Sequence, residues 1–283
     1  GFSRNKDPDS YILLDKRCVY LSYLPLPHVL ERICFNIAWS SCTQVVFYSG
    51  NPKLLQLDMK IARPTFLVTV PRVLNIFMEK IKASIATRNV FVRTLFNLGI
   101  RFKIWRQSRG VYKSWLFDTL IFNKVRREFG GALEYSLCGG ASLNPEVLQF
   151  MQAALSFKIF QGYGQTEGLA ANIVAPLDCY DTETVGIPFP SVLVKLEPVE
   201  GYDGDGVGEL CMKGPSITSG YFKRPKETRE AIGDDGWLRT GDVARVKNGY
   251  FYIIGRVKEI FKTSFGEYIA PEKIENLLTG GII

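Results

Sequence analysis

Residues Ala132 to Gly164 read ALEYSLCGGASLNPEVLQFMQAALSFKIFQGYG, and this stretch decides the fold class. ALEYSLCGG is a short apolar run that ends in two glycines, as a buried strand does where it meets a turn. NPEVLQFMQAAL follows with Asn144 in capping position, Pro145 at the first helical position and apolar residues at helical spacing. FKIFQGYG is a second apolar run closed by glycines. Strand, helix and strand within 33 residues form the unit that builds a parallel sheet with crossover helices, so the chain reads as α/β.

Upstream, Leu21 to about Phe129 is mostly helical, with the short strands TQVVFYSG and PTFLVTV between helices. Pro71 opens a helix whose apolar residues Val73, Leu74, Phe77, Met78 and Ile81 recur on one face. Downstream of about Pro188 the rhythm changes to short strands and turns. SVLVKLEP and GVGELCMKG flank the Asp-Gly dipeptides of VEGYDGDGVG and suggest a hairpin. GYFYIIGR is a further strand, and APEKIENLL opens a helix near Pro271. The expected division is an α/β part over 1–188, a β-rich part over 189–255, and the start of a further unit over 256–283.

The bulk numbers agree with a folded protein. A 283-residue chain that is 46% apolar, 22% charged and 13% aromatic can bury one large core or two smaller ones. No apolar run reaches the roughly 18 to 20 residues of a membrane span. The start, GFSRNKDPDS, has neither the basic region nor the apolar core of a signal peptide. It also lacks an initiator Met, which suggests a fragment or a processed product. Six dispersed cysteines without a CxxC pair suggest a reducing compartment and small buried side chains. With His28 as the single histidine, a zinc site or a Ser-His-Asp triad is not expected.

The net charge of +7 is concentrated. Between Glu79 and Glu128, twelve Lys and Arg stand against three acidic residues, a local balance of +9. Either this is a solvated helical face, or it is a surface for phosphate groups or anionic lipid heads. No nucleic-acid motif accompanies the charge, so nucleic acid is not an expected partner.

Two stretches carry chemistry. In QGYGQTEG the strand delivers Gly162, Tyr163 and Gly164 to its carboxyl end, where glycines let a ligand approach the backbone. Tyr163 can stack on a planar ring, and Thr166 and Glu167 offer oxygen ligands suited to Mg²⁺ beside phosphate. The same residues also describe a tight turn with a buried tyrosine. In GWLRTGDVARVKNGYFYIIGR, Asp242 is expected on a turn with its carboxylate free, either for a ribose diol or as a turn stabiliser. Arg256, after the strand, either donates to ribose or phosphate or makes an ordinary ion pair.

Taken together, GYGQTE, GWLRTGD and GRVKEIFKTSFGEYIAPEKIE, in that order, resemble the adenylate-forming superfamily, and within it the long-chain fatty acid–CoA ligases. YLPLPHVLER (Tyr23 to Arg32), RPTFLVTVPRVLN (Arg63 to Asn75) and GPSITSGYFKRPKET (Gly214 to Thr228) add to the resemblance, which runs from about Val19 to Leu277. It implies the large N-terminal domain of such enzymes, α/β layers plus a β-rich subdomain, with only the start of the small C-terminal domain. It also implies a two-step reaction. ATP and a long-chain fatty acid give an acyl-adenylate and pyrophosphate, and the thiol of coenzyme A then displaces AMP. By motif, Tyr163 packs against adenine with Gly140 and Ala141 on the other side, within a nucleotide site that includes Gly162 and Gly164. Thr166 contacts the α-phosphate, Glu167 holds Mg²⁺, Asp242 binds the ribose hydroxyls, and Arg256 binds ribose or phosphate. Lys258 matches the hinge of the C-terminal domain. His28 matches a position lining the acyl-carboxylate site, or is a satisfied, partly buried histidine. The family resemblance further suggests the cytosolic face of the endoplasmic reticulum or another organelle membrane.

Some of the family pattern is missing. The Ser/Thr/Gly-rich phosphate loop ending in Lys would lie upstream of residue 1, and the late lysine that assists adenylation would lie beyond Ile283. Leu238-Arg239 before TGD and Glu259 after Lys258 are smaller departures. The expectation is an incomplete ligase with negligible activity for residues 1–283. The other readings are a non-catalytic nucleotide- or acyl-binding protein, including a regulatory decoy, and a different adenylate-forming ligase.

Overall fold

The computed structural model of the protein describes residues 14–200 and 204–259, with the backbone of 261–262 and 268–269. The APEKIENLL helix expected from the sequence lies outside the described residues.

The α/β part is built from strand–helix units. Strands β1 (Val19–Ser22), β2 (Gln44–Phe47), β3 (Phe66–Thr69), β4 (Tyr135–Cys138) and β5 (Lys158–Tyr163) are parallel and lie in the order β2-β1-β3-β4-β5. Helix α1 (Val29–Ser40) connects β1 to β2, and α2 (Leu55–Ala62) lies between β2 and β3. The long connection to β4 holds α3 (Pro71–Ala86), α4 (Val90–Gln107), α5 (Trp115–Phe117) and α6 (Asn123–Arg127), the last two joined through a π-helical turn at Asp118–Phe122. Such a strand order is that of a doubly wound sheet, in which ligands bind outside the carboxyl ends of the strands. All four residues of β3 are buried, as expected of a strand covered on both faces.

Helix α7 (Pro145–Leu155) joins β4 to β5 and forms for the reasons visible in its sequence. The Asn144 side chain accepts from the Glu146 amide at 2.8 Å, and Pro145 needs no amide partner at the first position. Ser156 ends the helix in the left-handed conformation. The buried face of α7 places Val147, Leu148, Met151 and Leu155 in the main core with Phe77, Phe122 and Phe129. Met151 is fully buried, so Met151→Ala is expected to cost about 2–5 kcal/mol.

Antiparallel pairing begins earlier than the change of rhythm near Pro188 suggests. The chain folds back after β5, so that β6 (Ile173–Val174) pairs antiparallel with Gly162 and Tyr163, and β7 (Ile187–Pro188) extends the same sheet. A second, antiparallel sheet runs β11-β10-β9-β8, from β8 (Leu193–Glu197), β9 (Val207–Lys213), β10 (Leu238–Lys247) and β11 (Tyr250–Arg256). The β8–β9 pairing matches the expected hairpin. Its core of Val192, Leu210, Met212, Leu238 and Ala244 packs on Ile173, and the Thr184 hydroxyl donates to the Phe251 carbonyl at 2.7 Å, tying the two sheets together. The short helix α8 (Pro225–Ala231) lies beside β10.

One member of the basic segment is not on the surface. Lys103 is 1% exposed: its ammonium donates to Asp118 at 2.6 Å and to the Ser156 hydroxyl at 2.6 Å, and sits 4.4 Å from the Phe122 ring centre. Phe96, Ile100, Lys103 and Gln107 recur at helical spacing, so Lys103 falls on the inward face of α4. Cys42 is the exposed exception among cysteines expected to be buried, and Cys179 is half-buried.

Candidate nucleotide-binding site

A cleft of about 540 Å³ opens at the carboxyl edge of the parallel sheet, against the near edge of the second sheet. That volume is in the range of small-molecule sites. The start of α1 at His28–Leu30, the turn Gly139–Gly140 after β4, and Gly162–Glu167 after β5 line one side. Thr240–Gly241 and Arg256, with Lys258 and Glu259, line the other. The fold therefore brings together His28, Gly140, Gly162, Tyr163, Gly164, Thr166, Glu167, Arg256 and Lys258. Ala141 is exposed and outside the lining, and Asp242 lies just behind it, 9% exposed.

The glycines of GYG have reasons within the fold. A Cβ on Gly164 would lie 1.1 Å from the Ala170 carbonyl oxygen, so the returning loop passes directly over it. That loop holds Leu169 and Ala170 at positive φ, an uncommon conformation for residues with a side chain. The sequence reading assigned these glycines to ligand approach; at Gly164 the close neighbour is the protein's own backbone. Gly140, at φ +86°, turns the chain out of β4 at the cleft wall.

Asp242 differs from its sequence expectation. It lies in β10 rather than on a turn, where pairing with β9 is interrupted between Arg239 and Val243. Its carboxylate is not free. Tyr163 donates its hydroxyl to Oδ2 at 2.6 Å, and the Arg256 Nε lies 3.2 Å from Oδ1. Arg256 is the last residue of β11, directly opposite Asp242 in register, so the ion pair is a cross-strand pair. Burial pushes the Asp242 carboxyl above the usual carboxylate range, opposed by the Tyr163 hydroxyl and Arg256. Burial, and then the neighbouring carboxylate, raise the Tyr163 phenol, which stays a hydrogen-bond donor at neutral pH. The arrangement joins an aromatic ring on one side of the cleft to a carboxylate and a guanidinium on the other.

Thr166 is exposed at the start of a 3₁₀ turn, Thr166–Gly168. Glu167 is half-buried and tied to the second half of the chain: Oε1 accepts from the Tyr221 hydroxyl at 2.7 Å, and its carbonyl accepts from the Thr218 amide at 2.8 Å. Among the described residues no group of three or more His, Cys, Asp and Glu could hold a metal ion. Mg²⁺ is commonly held by one or two carboxylates and completed by phosphate oxygens and water, so the donor set of Glu167 beside Thr166 fits it. Sequence reasoning on single residues missed Tyr221, although GPSITSGYFKRPKET contains it. It also missed Glu209, whose carboxylate accepts from the Gly241 amide at 3.0 Å and holds the irregular stretch of β10 before Asp242.

His28 is exposed rather than partly buried. Its ring Nδ1 accepts from the Leu30 amide at 3.3 Å and caps α1. Capping does not remove it from the cleft, which it lines. Lys258 is exposed at the cleft mouth. Beneath this wall Glu31, with no solvent exposure, accepts from the hydroxyls of Tyr20 and Ser22, each at 2.6 Å.

Comparison with known proteins bears on the family and the fold. The family model described as AMP-binding enzyme matches residues 6–222. Long-chain-fatty-acid–CoA ligase 5 of Rattus norvegicus is 39% identical over 265 residues, covering 92% of this chain and 38% of the relative. Long-chain-fatty-acid–CoA ligase 1 of Homo sapiens is 38% identical over 91% of this chain and 37% of its own length. The chain thus spans less than two fifths of these relatives. Among solved structures, the adenylation domain of a carboxylate reductase from Mycobacterium chelonae superposes with a TM-score of 0.73 at 24% identity, covering 93% of this chain and 38% of that one. An o-succinylbenzoate CoA synthetase from Bacillus subtilis, in complex with its acyl-adenylate intermediate, gives 0.68 at 19% identity, covering 95% and 47%.

Proposed function

The chain belongs to the AMP-binding enzyme family, and from that premise we propose that it forms one wall of the adenylate site of a long-chain fatty acid–CoA ligase. Its fold is the α/β and β-rich body of the large N-terminal domain of the adenylate-forming enzymes. In the proposed reaction a fatty acid carboxylate attacks the α-phosphate of ATP, releasing pyrophosphate, and the thiol of coenzyme A then displaces AMP. The observation that carries this reading is the joint Tyr163–Asp242–Arg256 in the wall of a cleft that also presents Thr166 and Glu167. A nucleotide needs a flat apolar platform, an acceptor for its ribose diol and donors for its phosphate, and these residues supply them.

In this proposal Tyr163 lies along the adenine, with Gly140 and Ala141 opposite. Asp242 accepts from the ribose hydroxyls, and its bonds to Tyr163 and Arg256 fix the carboxylate beforehand. Arg256, 59% exposed at its side chain, can swing its guanidinium between Asp242 and the ribose or α-phosphate. Thr166 donates to the α-phosphate, where negative charge builds as the carboxylate attacks. Mg²⁺, when bound, neutralises phosphate charge, and Glu167 is the residue that would hold it. His28 borders the acyl carboxylate. We also assign Lys258 to a hinge after an α/β part (1–188) and a β-rich part (189–255). The identity to long-chain ligases supports a long acyl chain as substrate.

Fatty-acid-dependent ATP–pyrophosphate exchange by the protein tests the reaction. Exchange with a long-chain acid, lost in Glu167→Ala and Asp242→Ala, is expected where this wall is joined to the rest of an adenylate site, and negligible exchange is expected of residues 1–283 alone. Exchange with aryl acids only would assign a different adenylate-forming ligase. Absence of exchange with any acid, alongside retained AMP binding, would favour a non-catalytic nucleotide-binding protein.

A further inference from the structure

Glu31 is a buried carboxylate that the proposed reaction does not use. Both of its oxygens are taken by hydroxyls of β1: Oε2 accepts from Tyr20 and Oε1 from Ser22. The ion pairs of the described residues do not include it. The same face of α1 carries Leu30, Cys34 and Ala38 into an apolar cluster with Tyr20 and Phe66. A carboxylate without a cation is costly to bury there, so packing alone does not call for Glu at this position.

Its place in the fold gives it another use. Glu31 is the third residue of α1, and Ser22 is the last of β1. The two hydrogen bonds therefore tie the first turn of the helix to the carboxyl end of the strand, at the sheet edge where the cleft opens. That turn supplies His28, Val29 and Leu30 to the cleft lining. A glutamate at the third helical position commonly reaches back to the amide of the capping residue. Here the His28 amide donates to the Pro25 carbonyl at 2.9 Å instead, and Glu31 turns to the strand. The chain entering the helix has little packing of its own, since Pro25, Leu26, Pro27 and His28 are all exposed. The position of His28 is thus left to the turn that follows it, where its carbonyl accepts from the Arg32 amide at 3.0 Å.

We propose that Glu31 is a positioning residue: through the hydroxyls of Tyr20 and Ser22 it fixes the first turn of α1 and so sets where His28 stands at the acyl end of the cleft. The inference rests on the function proposed above, in which His28 borders the acyl carboxylate.

Calorimetric titration of the protein with two probes, AMP and a non-hydrolysable oleoyl-adenylate analogue, tests it. AMP reports on the nucleotide site alone, and the analogue reports also on the space beside His28. The parent should bind the analogue more tightly than AMP. Glu31→Ala should weaken the analogue about ten-fold, the size of one hydrogen bond, and leave AMP within about two-fold. Glu31→Gln keeps the shape and an acceptor oxygen, and should recover most of the loss. On top of His28→Ala, Glu31→Ala should add little, because both act through one contact. Tyr20→Phe and Ser22→Ala each remove one of the two hydroxyls and should give smaller losses confined to the analogue, so they decide the matter should Glu31→Ala fold poorly. Equal weakening of both probes, no weakening of either, or effects of Glu31→Ala and His28→Ala that simply add would each overturn the inference. A parent that binds AMP, and the analogue no more tightly, would overturn it too. A parent that binds neither probe would overturn the function proposed for the cleft, and this inference with it.

Discussion

Replacing Lys103 by Met tests the packing of α4 against α7. Lys103 brings its aliphatic stem into the core, 1% exposed, and its ammonium, 4.4 Å from the Phe122 ring centre, is shared between Asp118 and Ser156, both at 2.6 Å. Met keeps most of that stem and removes the charge. Asp118 then retains the Ser114 amide at 2.9 Å and the Ser156 hydroxyl at 3.1 Å, but no cation, in a site 7% exposed. Breaking a buried ion pair from one side costs about 3–5 kcal/mol, and the two remaining donors place this case near the lower end. Removing both charges, as Lys103→Met with Asp118→Leu, should recover most of the loss. A residual cost of about 1 kcal/mol is expected from the Ser114 amide, which loses its acceptor. Urea unfolding, with midpoint and slope both fitted, measures the difference. A Lys103→Met variant within about 0.5 kcal/mol of the parent, or a double variant as unstable as the single one, would refute the reasoning.

Glu31 gives a pH dependence with a defined sign. Its folded-state carboxyl is raised by burial, against the lowering influence of Ser22 and Tyr20. A carboxyl raised on folding contributes stability below its unfolded value near 4.5, and that contribution is lost as pH rises through the folded value. Glu31→Gln should therefore flatten the decline in stability above about pH 4.5, and thermal melts from pH 4 to 8 that keep the parent's slope would contradict this. Tyr221→Phe removes the hydroxyl that holds Glu167 at 2.7 Å. It should raise the Mg²⁺ concentration needed for half-maximal exchange by about five- to ten-fold while leaving the melting temperature within a few degrees, and an unchanged Mg²⁺ requirement argues against the role. Asn144→Ala should cost about 1 kcal/mol through the lost cap of α7, read by the same urea titration, and a value near zero would count against that cap.

Local chemistry made much of the fold legible. Asn144 and Pro145 announce α7, and the short apolar runs between glycines and helices announce β3, β4 and β5, because caps and burial act within a few residues. The cleft was legible to the extent that its groups sit in local motifs: Gly162 to Glu167 on one side, Asp242 and Arg256 on the other. What the sequence hid depends on long-range register. Asp242 looked free because its partners are 79 residues away at Tyr163 and across a strand pair at Arg256. Lys103 looked like one more surface cation, although its spacing with Phe96, Ile100 and Gln107 put it on an apolar face. Counting charge by segment overrode that periodicity.

The central claim is that the Tyr163–Asp242–Arg256 wall receives a nucleotide, and calorimetric titration of the protein with a non-hydrolysable acyl-adenylate analogue tests it most directly. Stoichiometric binding is expected, weakened about 10- to 100-fold by Asp242→Ala through the lost ribose acceptor. An analogue that fails to bind the parent protein, or one that binds Asp242→Ala as tightly as the parent, would contradict the claim.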